Sequence, residues 1–353
     1  MLRPQKEISD MPIRLFERDD KKRWDDFVNK VDGAAHYHYS GWKTVIEKSF
    51  GHKTYYLLSE DDWNNIDGIL PMVHLKSRLF GSFLVSLPYF NYGGICAERV
   101  EVGRRLLQEA IQIAERENVE HIELREVREL DEGLAIKKSK VAMNLRLPSS
   151  ANDLWGSFSS KLRSQIRRPQ KEGMITRIGR EGELDGFYEV FSTNMRDLGT
   201  PVYSKSFFKN ILDEFEASTW ICSVYKEKQP VASGFLVSHK DRLEIPWASS
   251  LRGYNACSPN MLLYWSALKF ACDRGYRLFD FGRSTPDEGT YRFKEQWGAK
   301  PVPLYWHYWL RDGGAIPELN PGNPKYRIAI NLWKRLPVGL TRLIGPPIVK
   351  NLP

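Results

Sequence analysis

Cysteine is scarce and scattered. The four residues, Cys96, Cys222, Cys257 and Cys272, form no CxxC pair, so their spacing supports neither a zinc site nor a thioredoxin-like motif. Few, dispersed thiols fit a reducing compartment. No apolar run reaches the ~18 residues that a membrane span requires, and the opening MLRPQKEISD has no apolar signal core. These absences lead to the expectation of a soluble cytoplasmic protein. GxGxxG, P-loop, GxSxG and HExxH motifs are missing too, which removes the motif-based case for a dinucleotide enzyme, an NTPase, a serine hydrolase or a zinc protease. The seven histidines show no ligand spacing, and His36 and His38, in a strand-like HYH, read as structural. No metal and no bound cofactor is implied.

Acidic residues are in the minority. Lys and Arg number 52 against 44 Asp and Glu, a net charge of +8, which favours an anionic partner such as RNA, a phosphorylated precursor or an anionic membrane. With 353 residues the chain is long enough for two domains. Its aromatic share is high, with 11 Trp; such residues line grooves for sugars or extended chains, but more often they form core.

Residues 1–12 are polar and read as loose. IRLFERDD reads as a strand, KKRWDDFVNKV as a helix with Trp24, Phe27 and Val28 on one face, and the next helix starts near Ser40, whose side chain could cap it. HKTYYLLSE, IDGILPMVHLKS and FLVSLPYFNYGGICA are strand-like. VGRRLLQEAIQIAERENV is a helix with Leu106, Leu107, Ala110, Ile111 and Ala114 in register, and HIELREV is a strand. A similar order recurs in the second half: a basic helix, the helix GELDGFYEVFSTNMRDLG, the helix SKSFFKNILDEFE, a strand series, and the apolar helix NMLLYWSALKFACDRG closed by Gly275. Such recurrence is how a tandem duplication would look.

The stretch Arg274–Trp306, RGYRLFDFGRSTPDEGTYRFKEQWGAKPVPLYW, carries the densest functional signal. A strand, RLFDFG, runs into a glycine-punctuated loop with isolated charges, a common way to build a site at a sheet edge. Composition alone makes it a strand, a turn and a basic hairpin.

The segment DFGRSTPDEGTYRFKEQWGA, with RDLGTPVYSKSFF and WASSLRGYNACSPNMLLYW upstream, resembles the FemAB-like proteins associated with exosortase/PEP-CTERM systems, a branch of the Fem peptidyltransferases. The resemblance covers most of residues 150–310. It implies an α/β (α+β) fold of tandem GNAT-like domains, each a mixed, mostly antiparallel sheet flanked by helices. The expected bounds are 11–148 for the first domain, 149–324 for the second, which holds the main site, and 325–353 for a basic amphipathic tail. The implied activity is an acyl- or aminoacyl-transferase that forms an amide on an amine of a cell-envelope or exopolysaccharide precursor.

In Fem transferases a Phe-Lys pair lies at the acyl-acceptor site, so the resemblance gives Phe293 and Lys294 that place and makes Lys294 the stabiliser of developing negative charge. It assigns to Arg196, at a helix end, the acceptor's anionic groups, with Tyr203 and Lys205 adding contacts. Arg196 could equally complement the helix dipole. Trp247, Ser249, Ser250, Asn260 and Tyr264 offer stacking planes and hydrogen bonds, while Asp280, Arg283, Tyr291 and Arg292 surround the Phe-Lys pair in sequence. Asp280 and Asp287 are the nearest candidate bases, and Asp280 reads better as a structural acid.

The cluster Lys161, Arg163, Arg167, Arg168 and Lys171 stands against the single acid Glu172. It can neutralise several phosphates of a transfer RNA or of a nucleotide- or lipid-linked sugar, or form a solvated helix face. The Gly-rich RxxGxG/A loop that holds acetyl-CoA pyrophosphate in ordinary acetyltransferases is absent, as is a long heptad arm. The acyl donor, aminoacyl-tRNA or acyl-CoA, therefore stays open, and a non-catalytic envelope-assembly binding protein is the third reading. The tail, with six basic residues and no acidic one from Lys325 to Pro353, places Ala329, Leu332, Trp333 and Leu336 on one helical face and suggests peripheral contact with the inner face of the cytoplasmic membrane. A tail helix docked on the body is the alternative.

Overall fold

A computed structural model describes residues 13–78, 80–317 and 324–352, so the expectation for residues 1–12 lies outside the described residues. In the first half, strands and helices run β1 (Ile13–Leu15), α1 (Lys21–Lys30), α2 (Gly41–Phe50), β2 (Lys53–Glu60), β3 (Ile66–Ser77), β4 (Gly81–Val85), β5 (Cys96–Ala97), α3 (Val100–Arg116), β6 (His121–Glu126) and β7 (Ala135–Lys137). There follow β8 (Val141–Arg146), α4 (Ala151–Ser157), α5 (Ser160–Lys171), β9 (Met174–Gly179), α6 (Glu181–Leu198), α7 (Lys205–Glu214), β10 (Thr219–Lys226), β11 (Gln229–His239) and β12 (Arg242–Ser250). The chain ends with α8 (Pro259–Asp273), β13 (Leu278–Ser284), α9 (Gly289–Glu295), β14 (Lys300–Pro303), β15 (Tyr305–Leu310), α10 (Pro324–Trp333) and α11 (Val338–Val349).

Two mixed sheets result. One has the order β1-β2-β3-β4-β6-β15-β7, with β5 beside β3; the other has the order β14-β8-β13-β12-β11-β10-β9. Each contains an antiparallel meander followed by one parallel pair, β4 with β6 and β12 with β13. A helix bridges each parallel pair, α3 in the first and α8 in the second, as a parallel crossover requires. The recurrence expected from the sequence is therefore real at the level of topology.

The described residues divide into two compact units, 13–139 with 303–317 and 351–352, and 140–302 with 324–350. This differs from the expected bounds in two places. Strand β8, expected to close the first domain, pairs with β13 and buries Val141, Met143 and Leu145 in the second core. Strand β15, expected in the second domain, pairs with β6 of the first sheet, where the Tyr308 hydroxyl donates to Glu123 at 2.8 Å. Both pairings are non-local, and strand alternation does not encode a partner.

In the first unit, α3 lays Val102, Leu106, Leu107, Ala110, Ile113 and Ala114 on the sheet, while Ile111 sits at the margin. Of FLVSLPYFNYGGICA only β4 and β5 are strand, because Leu87 and Tyr89 adopt positive φ between them. HYH forms a buried 3-10 turn rather than strand, and the Ser40 side chain does not cap α2. In the second unit, serines cap α4, α5 and α7: Ser150, Ser159 and Ser204 accept from the N–H groups of Asp153, Leu162 and Phe207. Leu243, Ile245, Phe279 and Phe281 turn into the core beneath α8 and α5. The other face of this sheet meets α6 and α7 through Phe187, Phe208, Phe235 and Trp247. The segment YRFKEQWG is not a hairpin; its first part belongs to α9, about two turns of helix.

Candidate functional site at the parting of two strands

Strands β12 and β13 pair over three positions, Arg242 with Leu278, Leu243 with Phe279 and Glu244 with Asp280. On its other side β13 slips register between Asp280 and Arg283. The slip occurs at Gly282, whose φ of +76° suits glycine and strains other residues. Because Leu243, Ile245, Phe279 and Phe281 face the α8 core, the intervening Glu244 and Asp280 point to the opposite face. Both carboxylates are buried, Asp280 completely. Asp280 Oδ1 accepts the Gly282 N–H at 2.8 Å, the Arg242 guanidinium lies 3.6 Å from Oδ2, and the Asn144 amide, turned so that its nitrogen faces the carboxylate, donates to both oxygens at 3.3 Å.

Helix α9 returns Lys294 to this point. The side chain is 7% exposed, and Nζ donates to the carbonyls of Gly282 at 3.0 Å and Arg283 at 2.9 Å. An ammonium has three donors; among the described residues the third has no partner. Burial pushes the Lys294 ammonium down to about 8, with Asp280 and Glu244 opposing the fall and Arg283 adding to it. Lys294 is thus not a surface lysine. It is a buried cation fixed at the strand break beside two buried acids. Two orphaned polar atoms also lie in these elements, Ser284 Oγ on β13 and Trp297 Nε1 after α9.

Around Lys294 the aromatic residues are continuous. Phe293 meets Tyr264 edge-on at 5.1 Å, and Tyr264 stacks on Phe281 at 5.5 Å. Burial raises the Tyr264 phenol, so it stays protonated. Phe293 also contacts Trp297, which meets Phe158, which meets Trp265; Trp265 packs on Trp155. The Arg167 guanidinium lies 5.2 Å over the Trp155 ring. Helix α5 docks through Leu162, Ile166 and Pro169 and exposes Lys161, Arg167, Arg168 and Lys171, while Arg163 is half-buried. The basic helix and the Phe-Lys helix therefore belong to one packed layer.

Other predicted residues lie elsewhere or are used differently. Trp247 is buried edge-on against Tyr203, Phe207, Phe208 and Phe235, so it is core packing rather than a sugar platform, while Tyr203 beside it is half-buried. Arg196 donates to Asp197 at 2.7 Å and to the Leu336 carbonyl of the tail at 3.0 Å. Lys205 pairs with Asp185. Ser249 accepts from Asn194 of α6 at 3.1 Å, and Ser250 sits opposite Ala232. Asn260 is half-exposed in the first turn of α8, Tyr291 packs on the α8 core, and Arg283, Arg292 and Asp287 are exposed. Sequence reading missed Glu244; an acid between apolar residues in RLEIPW was the available signal. No group of three His, Cys, Asp or Glu residues is placed to hold a metal among the described residues.

Residues 156–295, from the end of α4 to the last residue of α9, match the family model described as an acetyltransferase (GNAT) domain. No curated protein sequence matches the chain. Among solved structures, the chain is similar to FemX, with 14% identity, a TM-score of 0.65 and coverage of 84% of this chain and 97% of that one. It is also similar to the C-terminal domain of a putative lysylphosphatidylglycerol synthetase from Agrobacterium fabrum, at 12% identity and TM-score 0.57, covering 82% and 92%. A tandem GNAT protein from the clavulanic acid biosynthesis pathway aligns at 10% identity and TM-score 0.52, covering 87% and 100%. The fold is tandem GNAT. The domain match supports an acyltransferase whose matched segment contains Lys294, the wedge and the basic helix.

Proposed function

We propose that the second unit is an N-acyl- or aminoacyl-transferase that forms an amide on an amine of an anionic cell-envelope or exopolysaccharide precursor. The observation that carries the reading is the fixed Lys294 ammonium, with one N–H uncommitted, at the parting of β12 and β13. The acceptor amine attacks the acyl carbon and the C–N bond forms. The carbonyl oxygen becomes an oxyanion that the Lys294 ammonium meets. Collapse then breaks the bond to the donor's oxygen or sulfur, which takes up the proton that the amine gives up. A preorganised donor of this kind contributes about 2.7–4 kcal/mol to such a step.

The exposed cations of α5 bind the anionic portion of a substrate, and the aromatic layer between α5 and α9 holds the two sites in fixed relation. An aminoacyl-tRNA donor is compatible with the fold shared with a putative lysylphosphatidylglycerol synthetase domain, while the GNAT match favours an acyl-CoA donor equally well. The exosortase-associated resemblance of DFGRSTPDEGTYRFKEQWGA is what directs the acceptor towards exopolysaccharide assembly. The test is a mass-spectrometric donor screen in an envelope-precursor extract, with charged transfer RNA and acyl-CoA pools offered separately. A mass gain on an amine acceptor in one pool identifies the donor. Retention of an extract component without turnover in either pool would instead favour a binding protein on this scaffold.

A further inference from the structure

We infer that the C-terminal helix pair, α10 and α11, is a docking surface for an anionic lipid bilayer. This inference does not depend on the acyl-transfer reading. Each helix is fixed to the second unit by one face. On α10, Ile330 packs against Gly199. On α11, Thr341, Gly345 and Val349 are buried, and Gly345 lies so close to Val202 that an added Cβ would sit 2.9 Å from its backbone nitrogen. The Arg342 Nε donates to Ser192 Oγ at 2.8 Å and its guanidinium covers the Tyr188 ring at 5.4 Å. Docking of the tail on the body is therefore real, and it settles which face remains.

The remaining face is apolar where a solvated helix would be polar. Ile328 and Leu332 flank Ile330 by two residues on either side, which at about 3.6 residues per turn puts them on the opposite face. They are 64% and 60% exposed. On α11 Leu340 and Leu343 are 41% and 73% exposed, turned away from the buried Thr341, Gly345 and Val349. Four of the ten large hydrophobics exposed among the described residues thus belong to these two short helices. Arg327, Lys334 and Arg335 are exposed beside them, and the sequence holds no acidic residue after Glu318. Aliphatic side chains among uncompensated positive charge match a leaflet that offers acyl chains below a layer of anionic headgroups. No described helix is long and apolar enough to cross a membrane, so the contact is with the surface.

Flotation of the full chain with vesicles tests this. The expected result is co-flotation with phosphatidylcholine/phosphatidylglycerol vesicles and much weaker recovery with phosphatidylcholine alone. Lys334→Gln with Arg335→Gln should weaken binding roughly fivefold per charge at low salt. Leu332→Ser with Leu343→Ser, at positions that support no packing, should lower it by at least tenfold with an unchanged melting temperature. Absence of flotation, or flotation indifferent to both pairs of substitutions, overturns the inference. So does a concentration-dependent dimer in light scattering that Leu343→Ser dissolves, because that face would then belong to a second copy.

Discussion

Replacing Lys294 with Met keeps the aliphatic stem and removes the ammonium, so it separates charge from packing. The carbonyls of Gly282 and Arg283 lose their side-chain donor, and a buried unsatisfied acceptor costs about 1–3 kcal/mol. Relief of the buried cation, whose desolvation drives its titration down to about 8, offsets part of this. A net loss of about 1–2 kcal/mol is the expectation, or roughly 2–4 °C in melting temperature per kcal/mol for a domain of this size. Loss of an oxyanion donor should cost far more in rate, about 10²–10³ in turnover. The assay is the initial rate of amide formation at saturating acceptor, beside a thermal melt. Turnover within a few-fold of the parent, with the melt displaced as stated, would mean that Lys294 only ties α9 to the β13 break, and the catalytic assignment would fall.

Further consequences follow from the same geometry. A rate that needs the Lys294 ammonium is full below its titration and declines as pH rises through about 8; a pH–rate profile flat from neutral to alkaline contradicts this, and Lys294→Met should lack the limb. Arg167→Glu with Arg168→Glu reverses two exposed charges on α5, so affinity for the anionic substrate and its salt dependence should both drop, measured as KM against ionic strength with kcat little changed. In the first unit, burial pushes Glu126 from 4.5 up to about 7. Its raised value means that the native state keeps a proton that the unfolded chain releases, so this stability is full at low pH and is lost as pH rises through about 7. Glu126→Gln should flatten the decline between pH ~4.5 and ~7 by up to about 3 kcal/mol, read by denaturant melts. Gly282→Ala should destabilise by about 1–2 kcal/mol because φ is positive there, read by the same melts.

Much of the second domain was legible because its signals are local. Apolar spacing located α6 and α8, and Gly282 marked a break in β13, whereas the serine caps that separate α4 from α5 and open α7 went unread. Within Arg274–Trp306 the strand was legible as β13, but the basic hairpin read after it is the helix α9. A short amphipathic helix and a hairpin strand share the pattern YRFKE, and only packing on Tyr264 and Trp297 decides for helix. Partner choice was beyond reach: β8 and β15 each join the sheet that their place in the sequence does not suggest, since strand alternation is the same for any neighbour. Site residues split along the same line. Lys294 and Asp280 come together because one strand and its following helix hold them. Trp247 looked like a binding plane, and it is core because α7 brings Phe207 and Phe208 against it. Glu244 escaped notice because its partner across the ladder, Asp280, lies on a strand reached only through α8.

The most direct test of the account uses an acceptor pool labelled with nitrogen-15, incubated with the protein and the donor pool that supports turnover. Tandem mass spectrometry then locates the transferred group. An acyl mass on the labelled nitrogen, stable to hydroxylamine and dependent on Lys294, is the predicted result. A transferred group on oxygen that hydroxylamine removes, or a gain equal in the Lys294→Met protein, would contradict amide formation at the β12–β13 wedge.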